Sequence, residues 1–214
     1  MSEGGGEQQK YALVTADGET RERSRGYTGK GEATYPNGEK YEGEFADGNR
    51  QGKGKYTYLN GDVYEGDFDQ NKRHGIGKMT YAGKGSYYGY WSEGQRQGDG
   101  VFMYPNGDVY SGAWSGGFKE GVGTFIFKET GIKLHGEWKK GDFVRGKWIY
   151  PNGTYYEGSY DSNKPKGIGK WCFHNGNVLD GEYAQITQVA TDPSEEDQLK
   201  LIWKTTSSLY EAAR

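Results

Sequence analysis

The sequence predicts an all-β protein: an elongated, single-layer antiparallel sheet of seven stacked 23-residue β-hairpin repeats, with a short C-terminal helix. Three observations predict it. A two-glycine step recurs at Gly29/Gly31, Gly52/Gly54, Gly75/Gly77, Gly98/Gly100, Gly121/Gly123 and Gly167/Gly169, with Val144 in place of the first glycine beside Gly146. A second marker, aromatic or Leu, x, Gly, x, aromatic, starts at Tyr41, Tyr64, Tyr87, Tyr110, Leu134, Tyr156 and Leu179, in steps of 23, 23, 23, 24, 22 and 23. Self-similarity at this period means stacked units that each contact mainly their neighbours. Third, the chain has 19 Tyr and 6 Trp but only 32% hydrophobic residues, so rings with polar tips must supply what aliphatics do not.

The elements follow in order. Residues 1–26 form an N-terminal arm in which Tyr11–Thr15 can serve as a degenerate capping strand. Residues 27–183 carry the repeats. Asn37-Gly38, Asn60-Gly61, Asn106-Gly107, Asn152-Gly153 and Asn175-Gly176 each stand between two strand-like runs, a hairpin signal in which both residues are expected at positive φ. Seven residues after each of the first six markers stands Gly48, Asn71, Gly94, Gly117, Gly141 or Asn163, so a left-handed backbone is expected in the turn joining one hairpin to the next. Period-two alternation sets the faces. The inner columns read Ala33, Tyr56, Met79, Phe102, Phe125, Trp148, Trp171 and Tyr35, Tyr58, Tyr81, Tyr104, Phe127, Tyr150, Phe173. Gly43 and its equivalents lie among these rings, where a side chain would collide with them. The opposite face is acidic at Glu42, Glu44, Glu65, Asp67, Glu137, Glu157, Asp180 and Glu182. Residues 184–214 break the pattern. There Asp192-Pro193-Ser194-Glu195 reads as a helix start, and Leu199, Ile202, Trp203 and Leu209 fall on one face of a helix over about 193–211. That helix either covers the last sheet edge or docks on a partner.

Tyr-x-Gly-x-aromatic, a glycine-marked turn, then Gly-x-Gly-x-x-x-Tyr-x-Asn-Gly at 23 residues resembles the MORN repeat, over roughly Tyr27 to Tyr183. Glu129-Thr130-Gly131, Asn163-Lys164-Pro165-x-Gly167-x-Gly169-Lys170, Gly181-Glu182-Tyr183 and Trp203-Lys204 are similar to segments of the MORN-repeat proteins of the ciliary radial spoke head. That resemblance implies a cytoskeletal protein of the cilium or flagellum axoneme, a structural scaffold with a role in motility. It implies other radial spoke head proteins as partners, a second copy of the chain as a further one, and contact with the central pair apparatus.

The candidate partner-binding aromatics are Tyr35, Tyr58, Tyr81, Phe102, Tyr104, Phe125, Trp148, Tyr150 and Trp171, together with Tyr88, Tyr90 and Tyr155, which interrupt the polar outer column. Exposed Tyr and Trp are the residue types that anchor interfaces. Leu199, Ile202, Trp203 and Leu209 are the candidate C-terminal docking residues. A basic column, Arg50, Arg73, Arg96 and Lys119, supports an alternative: a module tethering to acidic phospholipid membranes, since MORN repeats elsewhere have been linked with phospholipid binding. No catalytic residue, cofactor or metal site is expected. His74, His135 and His174 occupy different columns, and the acidic column is regular enough to be a solvated face. The Gly-x-Gly steps lack the third glycine and helix of a dinucleotide loop. A net charge of −3 argues against nucleic acid. The single cysteine, Cys172, and the lack of an apolar run of membrane-spanning length or a signal peptide lead to an expected cytoplasmic location.

Overall fold

Every regular element is a β-strand in the computed structural model, which describes residues 10–188 and 198–211. The chain divides into two units, Met1–Pro105 with Ser115–Gly117, and Asn106–Trp114 with Phe118–Arg214. Unit 1 runs β1 (Ala12–Thr15), β2 (Thr20–Arg21), β3 (Gly29–Thr34), β4 (Lys40–Ala46), β5 (Asn49–Thr57), β6 (Val63–Asp69), β7 (Lys72–Tyr81), β8 (Gly85–Ser92) and β9 (Gln95–Met103). From β3 onward each strand pairs antiparallel with the next, and β1 lies against β3. Unit 2 runs β10 (Val109–Ser115), β11 (Phe118–Ile126), β12 (Lys133–Lys139), β13 (Asp142–Ile149), β14 (Tyr155–Asp161), β15 (Lys164–Cys172), β16 (Asn177–Gln188), β17 (Gln198–Thr205) and β18 (Tyr210–Glu211). Its strands from β11 to β17 pair in sequence, again antiparallel.

Two turn types alternate, and only one is the expected kind. Between repeats, Gln70 and Asn71 take φ of 45° and 69°, and Ser162 and Asn163 take 52° and 62°. Two consecutive left-handed residues make a type I′ turn, whose twist matches the flanking strands. The Gly and Asn column fills its second place. Within a hairpin the Asn-Gly pair does something else. Gly38 N donates to Tyr35 O at 2.9 Å, Tyr35 N donates to Glu39 O at 2.9 Å, and only Gly38 of the pair has positive φ, 86°. This is a type I turn followed by a left-handed glycine, so the expectation of positive φ at both residues is corrected. Pro36 presets the first turn position, and Asn37 Oδ1 accepts from Glu39 N at 3.1 Å.

The tyrosine face is organised by a row of glycines that crosses the strands. In unit 1, Gly31, Gly43, Gly54, Gly66, Gly77, Gly89 and Gly100 stand opposite one another from strand to strand. In unit 2 the row is Gly123, Gly136, Gly146, Gly158, Gly169 and Gly181. The marker tyrosines lie down on it. A side chain at Gly54 would overlap the Tyr41 ring, and one at Gly77, Gly100, Gly123 or Gly169 would overlap Tyr64, Tyr87, Tyr110 or Tyr156. The five rings are buried almost completely. Four of their hydroxyls donate to a carbonyl three residues on: Tyr41 to Glu44 O (2.8 Å), Tyr64 to Asp67 O (2.9 Å), Tyr87 to Tyr90 O (3.0 Å) and Tyr110 to Ala113 O (3.0 Å). The second aromatic of each marker meets this ring edge-on, as Tyr64 and Phe68 do at 5.1 Å and 89°. Where a marker begins with Leu, another residue covers the glycine. Phe143 covers Gly146 beside Leu134, and Trp203 covers Gly181 beside Leu179.

The C-terminal helix is not formed. Residues 198–205, assigned to it from sequence, are β17, and Asp192-Pro193-Ser194-Glu195 lies outside the described residues. β16 extends to Gln188 and offers a long open edge. Leu199, Leu201 and Trp203 alternate with Lys200, Ile202 and Lys204, a period that suits a strand. β17 pairs along that edge, Trp203 opposite Tyr183 and Leu199 opposite Thr187. Leu209 is exposed just before β18, which pairs with β16 at Asn177 and Val178.

Gly77→Ala is predicted to lower stability by at least about 2 kcal/mol, because the Tyr64 ring has nowhere to move. Lys78→Ala on the charged face should change it by less than about 0.5 kcal/mol. Urea denaturation of the two variants measures both.

Candidate functional site

The candidate surface is the outer layer of the tyrosine face. Above the buried marker rings, first-strand aromatics run in a zigzag toward the hairpin tips. Tyr35 meets Tyr56 at 5.7 Å, and Tyr56 meets Tyr58 at 4.6 Å. Tyr81 stacks on Phe102 at 5.9 Å, and Phe102 meets Tyr104 at 4.6 Å. In unit 2, Phe125 meets Phe127 at 4.8 Å, Trp148 stacks on Tyr150 at 5.4 Å, and Tyr150 lies 6.0 Å from Trp171. Phe102 is buried, and the other first-strand candidates are half-buried. Tyr88 and Tyr90 stand apart on the charged face, 59% and 53% exposed. They lie opposite Lys78 and Ile76 of β7. Tyr155 is on the charged face too, with Lys147 Nζ 4.5 Å above its ring.

The basic column sits on the rings rather than in water. The Arg50 guanidinium carbon lies 4.7 Å from the Tyr56 ring centre, Arg73 lies 4.6 Å from Trp91, and Arg96 lies 5.7 Å from Tyr87. Each guanidinium also donates to a carbonyl of the next connecting turn: Arg50 to Asn71 O (2.9 Å), Arg73 to Gly94 O (2.6 Å) and Arg96 to Gly117 O (2.5 Å). Each returns the favour through its own backbone, since Asn71 N, Gly94 N and Gly117 N donate to Arg50 O, Arg73 O and Arg96 O. The arginines therefore staple consecutive turns while covering ring faces. Lys119 Nζ lies 4.1 Å from the Trp138 ring. Burial pushes its pKa below the ordinary lysine range, partly offset by the Asp142 carboxylate. Charge alone identified this column in the sequence. The regular aromatic positions around it were the available signal for its inward direction.

At the C-terminal end, the Trp203 ring lies 5.0 Å from Tyr183 and 5.9 Å from Tyr156. Ile202 is half-buried, and Leu199 and Leu209 are exposed. These residues extend the sheet, and no helical face gathers them. The charged face of unit 1 is a checkerboard in which Lys53 bonds Asp67 at 2.6 Å and Lys55 faces Glu65 at 3.4 Å. Exposed pairs of this kind contribute little stability. Among the described residues, no group of three or more His, Cys, Asp or Glu side chains is placed to hold a metal ion.

The MORN repeat family model matches residues 41–63, 64–86, 87–109, 110–129, 135–155 and 156–178, six repeats in all. The repeats of this family are non-catalytic modules for protein interaction or membrane binding. No curated protein matches the chain. Two similar solved structures are both from Drosophila melanogaster. The SAS-4 (dCPAP) TCP domain in complex with a proline-rich motif of Ana2 (dSTIL) is 18% identical, with 88% of this chain and 87% of that chain covered and a TM-score of 0.43. The TCP10c domain of Sas-4 is 18% identical, with 88% and 96% covered and a TM-score of 0.38. Likeness at that level carries no functional argument.

Two outcomes follow from this geometry. Arg73→Ala should cost about 2 kcal/mol in urea unfolding and Arg73→Lys about half of that, because an ammonium lacks the fork that reaches ring and carbonyl together. Burial raises the pKa values of Tyr41, Tyr64 and Tyr87, and pushes Tyr156 up to about 12. An acid raised in the folded state contributes stability that is complete below its unfolded pKa of about 10 and is lost as pH rises through the folded value. Tyrosinate absorbance should therefore lag behind free tyrosine above about pH 10, then rise steeply as the sheet unfolds. A smooth titration at the free-tyrosine midpoint would contradict the burial.

Proposed function

We propose that this chain, which belongs to the MORN repeat family, is a non-enzymatic structural scaffold of the axonemal radial spoke head. It holds other spoke head subunits against its ring face and contributes to the control of ciliary and flagellar bending. One observation carries the scaffold reading: half-buried aromatics continue along the tyrosine face of each unit, and no second layer packs over them among the described residues. A face of rings with polar tips is the surface that protein partners bury. Tyr88 and Tyr90 give the opposite face a second, smaller contact point, suited to a further subunit or a second copy of the chain. The spoke head assignment rests on the motifs around Glu129, Asn163-Lys164-Pro165 and Trp203-Lys204, and it implies a location in the axoneme.

The lipid-tethering alternative loses its main support. It needs Arg50, Arg73 and Arg96 free to meet phosphate, and each is already committed to ring faces and a turn carbonyl. Reversing their charge is expected to destabilise the fold before it reports on membranes.

Salt extraction of isolated axonemes, followed by crosslinking and mass spectrometry on this chain, tests the reading. Crosslinks to radial spoke head subunits are the expected result, weakened when Trp148 and Trp171 are replaced by Ala. Recovery with membranes and absence from the axoneme would overturn the spoke head assignment.

A further inference from the structure

The position opposite the second marker aromatic changes its chemistry along the chain. In unit 1 it holds Arg50 opposite Phe45, Arg73 opposite Phe68 and Arg96 opposite Trp91, and each covers rings with a charge. In unit 2 it holds Phe143 opposite Trp138 and Pro165 opposite Tyr160. Both are buried and apolar, and neither has the reach of an arginine. Phe143 lies down on Gly146 and packs on Trp138 and Tyr160, at 5.0 and 4.6 Å.

The slot that Phe143 leaves uncovered is an open apolar cavity. Four of its walls, Phe127, Leu134, Trp148 and Tyr160, are the repeat equivalents of Tyr35, Tyr41, Tyr56 and Phe68, whose rings bound Arg50. Pro165 and Leu201 of β17 complete the apolar lining around about 300 Å³. Its polar groups are few. Asn163 is committed on both sides, since its Oδ1 accepts from Phe143 N at 2.7 Å and its Nδ2 donates to Asp142 Oδ1 at 2.8 Å. Lys164 is the one charged residue of the lining, and it is exposed. Its cross-strand neighbour Asp161 is bonded by Lys166 at 2.7 Å, so the Lys164 ammonium has no carboxylate partner among the described residues.

We propose that this cavity receives a bulky apolar side chain of a partner protein, with an acidic residue beside it in the partner held by Lys164. The inference rests on the reading of the ring face as a partner-binding surface and adds the chemistry of one contact. A polar or charged guest would give up its water among Phe127, Leu134, Trp148 and Leu201 without gaining a hydrogen bond in return. An apolar guest loses nothing there and takes ring faces out of water, which is how anchor residues fill pockets at the centre of an interface. The charge at the rim then sets the neighbour: a free ammonium attracts a carboxylate and repels a cation. A cavity of this size stands at the lower limit for whole small ligands and suits one or two side chains. One lysine is also too little charge to hold a lipid surface, which takes a cluster.

The test is an NMR titration of the full chain with three acetylated, amidated tripeptides, Ala-Phe-Asp, Ala-Phe-Lys and Ala-Ala-Asp, following the Trp148 indole and the Leu134 methyls. Ala-Phe-Asp is expected to bind saturably, about tenfold more tightly than Ala-Ala-Asp because one ring is buried. It should bind about threefold more tightly than Ala-Phe-Lys at low salt, a margin that high salt removes. Lys164→Glu, at an exposed position where folding is not at stake, should reverse the order of Ala-Phe-Asp and Ala-Phe-Lys. No response of Trp148, equal binding of the Phe and Ala peptides, or an unchanged order in Lys164→Glu would overturn the proposal. Signals of Trp148 that change with the concentration of the chain alone would give the cavity to a second copy, and a stronger response to octanoate would give it to an acyl chain; either overturns it. Peptide binding without spoke head crosslinks would keep the cavity assignment and remove the spoke head one. Crosslinks without peptide binding would do the reverse.

Discussion

A tyrosine ring laid flat on a row of glycines is the contact on which the rest of the structure depends. With no second layer over it among the described residues, the sheet must bury its rings against its own backbone, and only glycine leaves the backbone bare enough. Gly43 and Gly54 clear the floor for Tyr41, and Gly66 and Gly77 do so for Tyr64. Tyrosine suits the place better than phenylalanine because its hydroxyl reaches a carbonyl at the far end of the ring. The exceptions obey the same rule. Where Leu134 and Leu179 cannot cover the row, Phe143 and Trp203 come from neighbouring strands to do it, and Leu13 of the capping strand approaches Gly31.

The cation column is a consequence of that arrangement. Rings lying on the glycine floor expose their upper faces near the connecting turns, and a long basic side chain from the next strand covers them. Once there, a guanidinium also meets the carbonyl of the following turn, so packing along the face and register between repeats are fixed by one residue. Lys119 covers the rings and lacks the fork, and the slot after it lacks the cation altogether. The array thus changes along unit 2 from self-covered to open, and the open part is where Trp148, Tyr150 and Trp171 gather.

Much of this was legible in the sequence, for identifiable reasons. The repeat, the strand faces and the need for glycine beneath the rings are set by local geometry that period and alternation report directly. The left-handed residues at Asn71 and Asn163 were legible because few side chains tolerate that backbone. The turn at Asn37-Gly38 was not, since Asn-Gly fits two turn types and the loop length together with Pro36 decides between them. Residues 198–205 satisfy both a helical spacing and a strand alternation. The long free edge of β16, which no local signal reveals, selected the strand. The direction of Arg50, Arg73 and Arg96 was hidden because charge says nothing about where a flexible side chain lies. For the same reason the sequence could not separate buried Phe102 from half-exposed Trp148.

The glycine α-proton shifts test the central claim most directly. In a spectrum of the folded chain, the α-protons of Gly54, Gly77, Gly100, Gly123 and Gly169 that point toward the tyrosine face should be displaced strongly upfield by the rings above them. Gly18 and Gly26, with open space around them, should stay near random-coil values. Ordinary shifts at the five covered glycines would mean that the rings do not lie on the row, and the account of the sheet would fail with them.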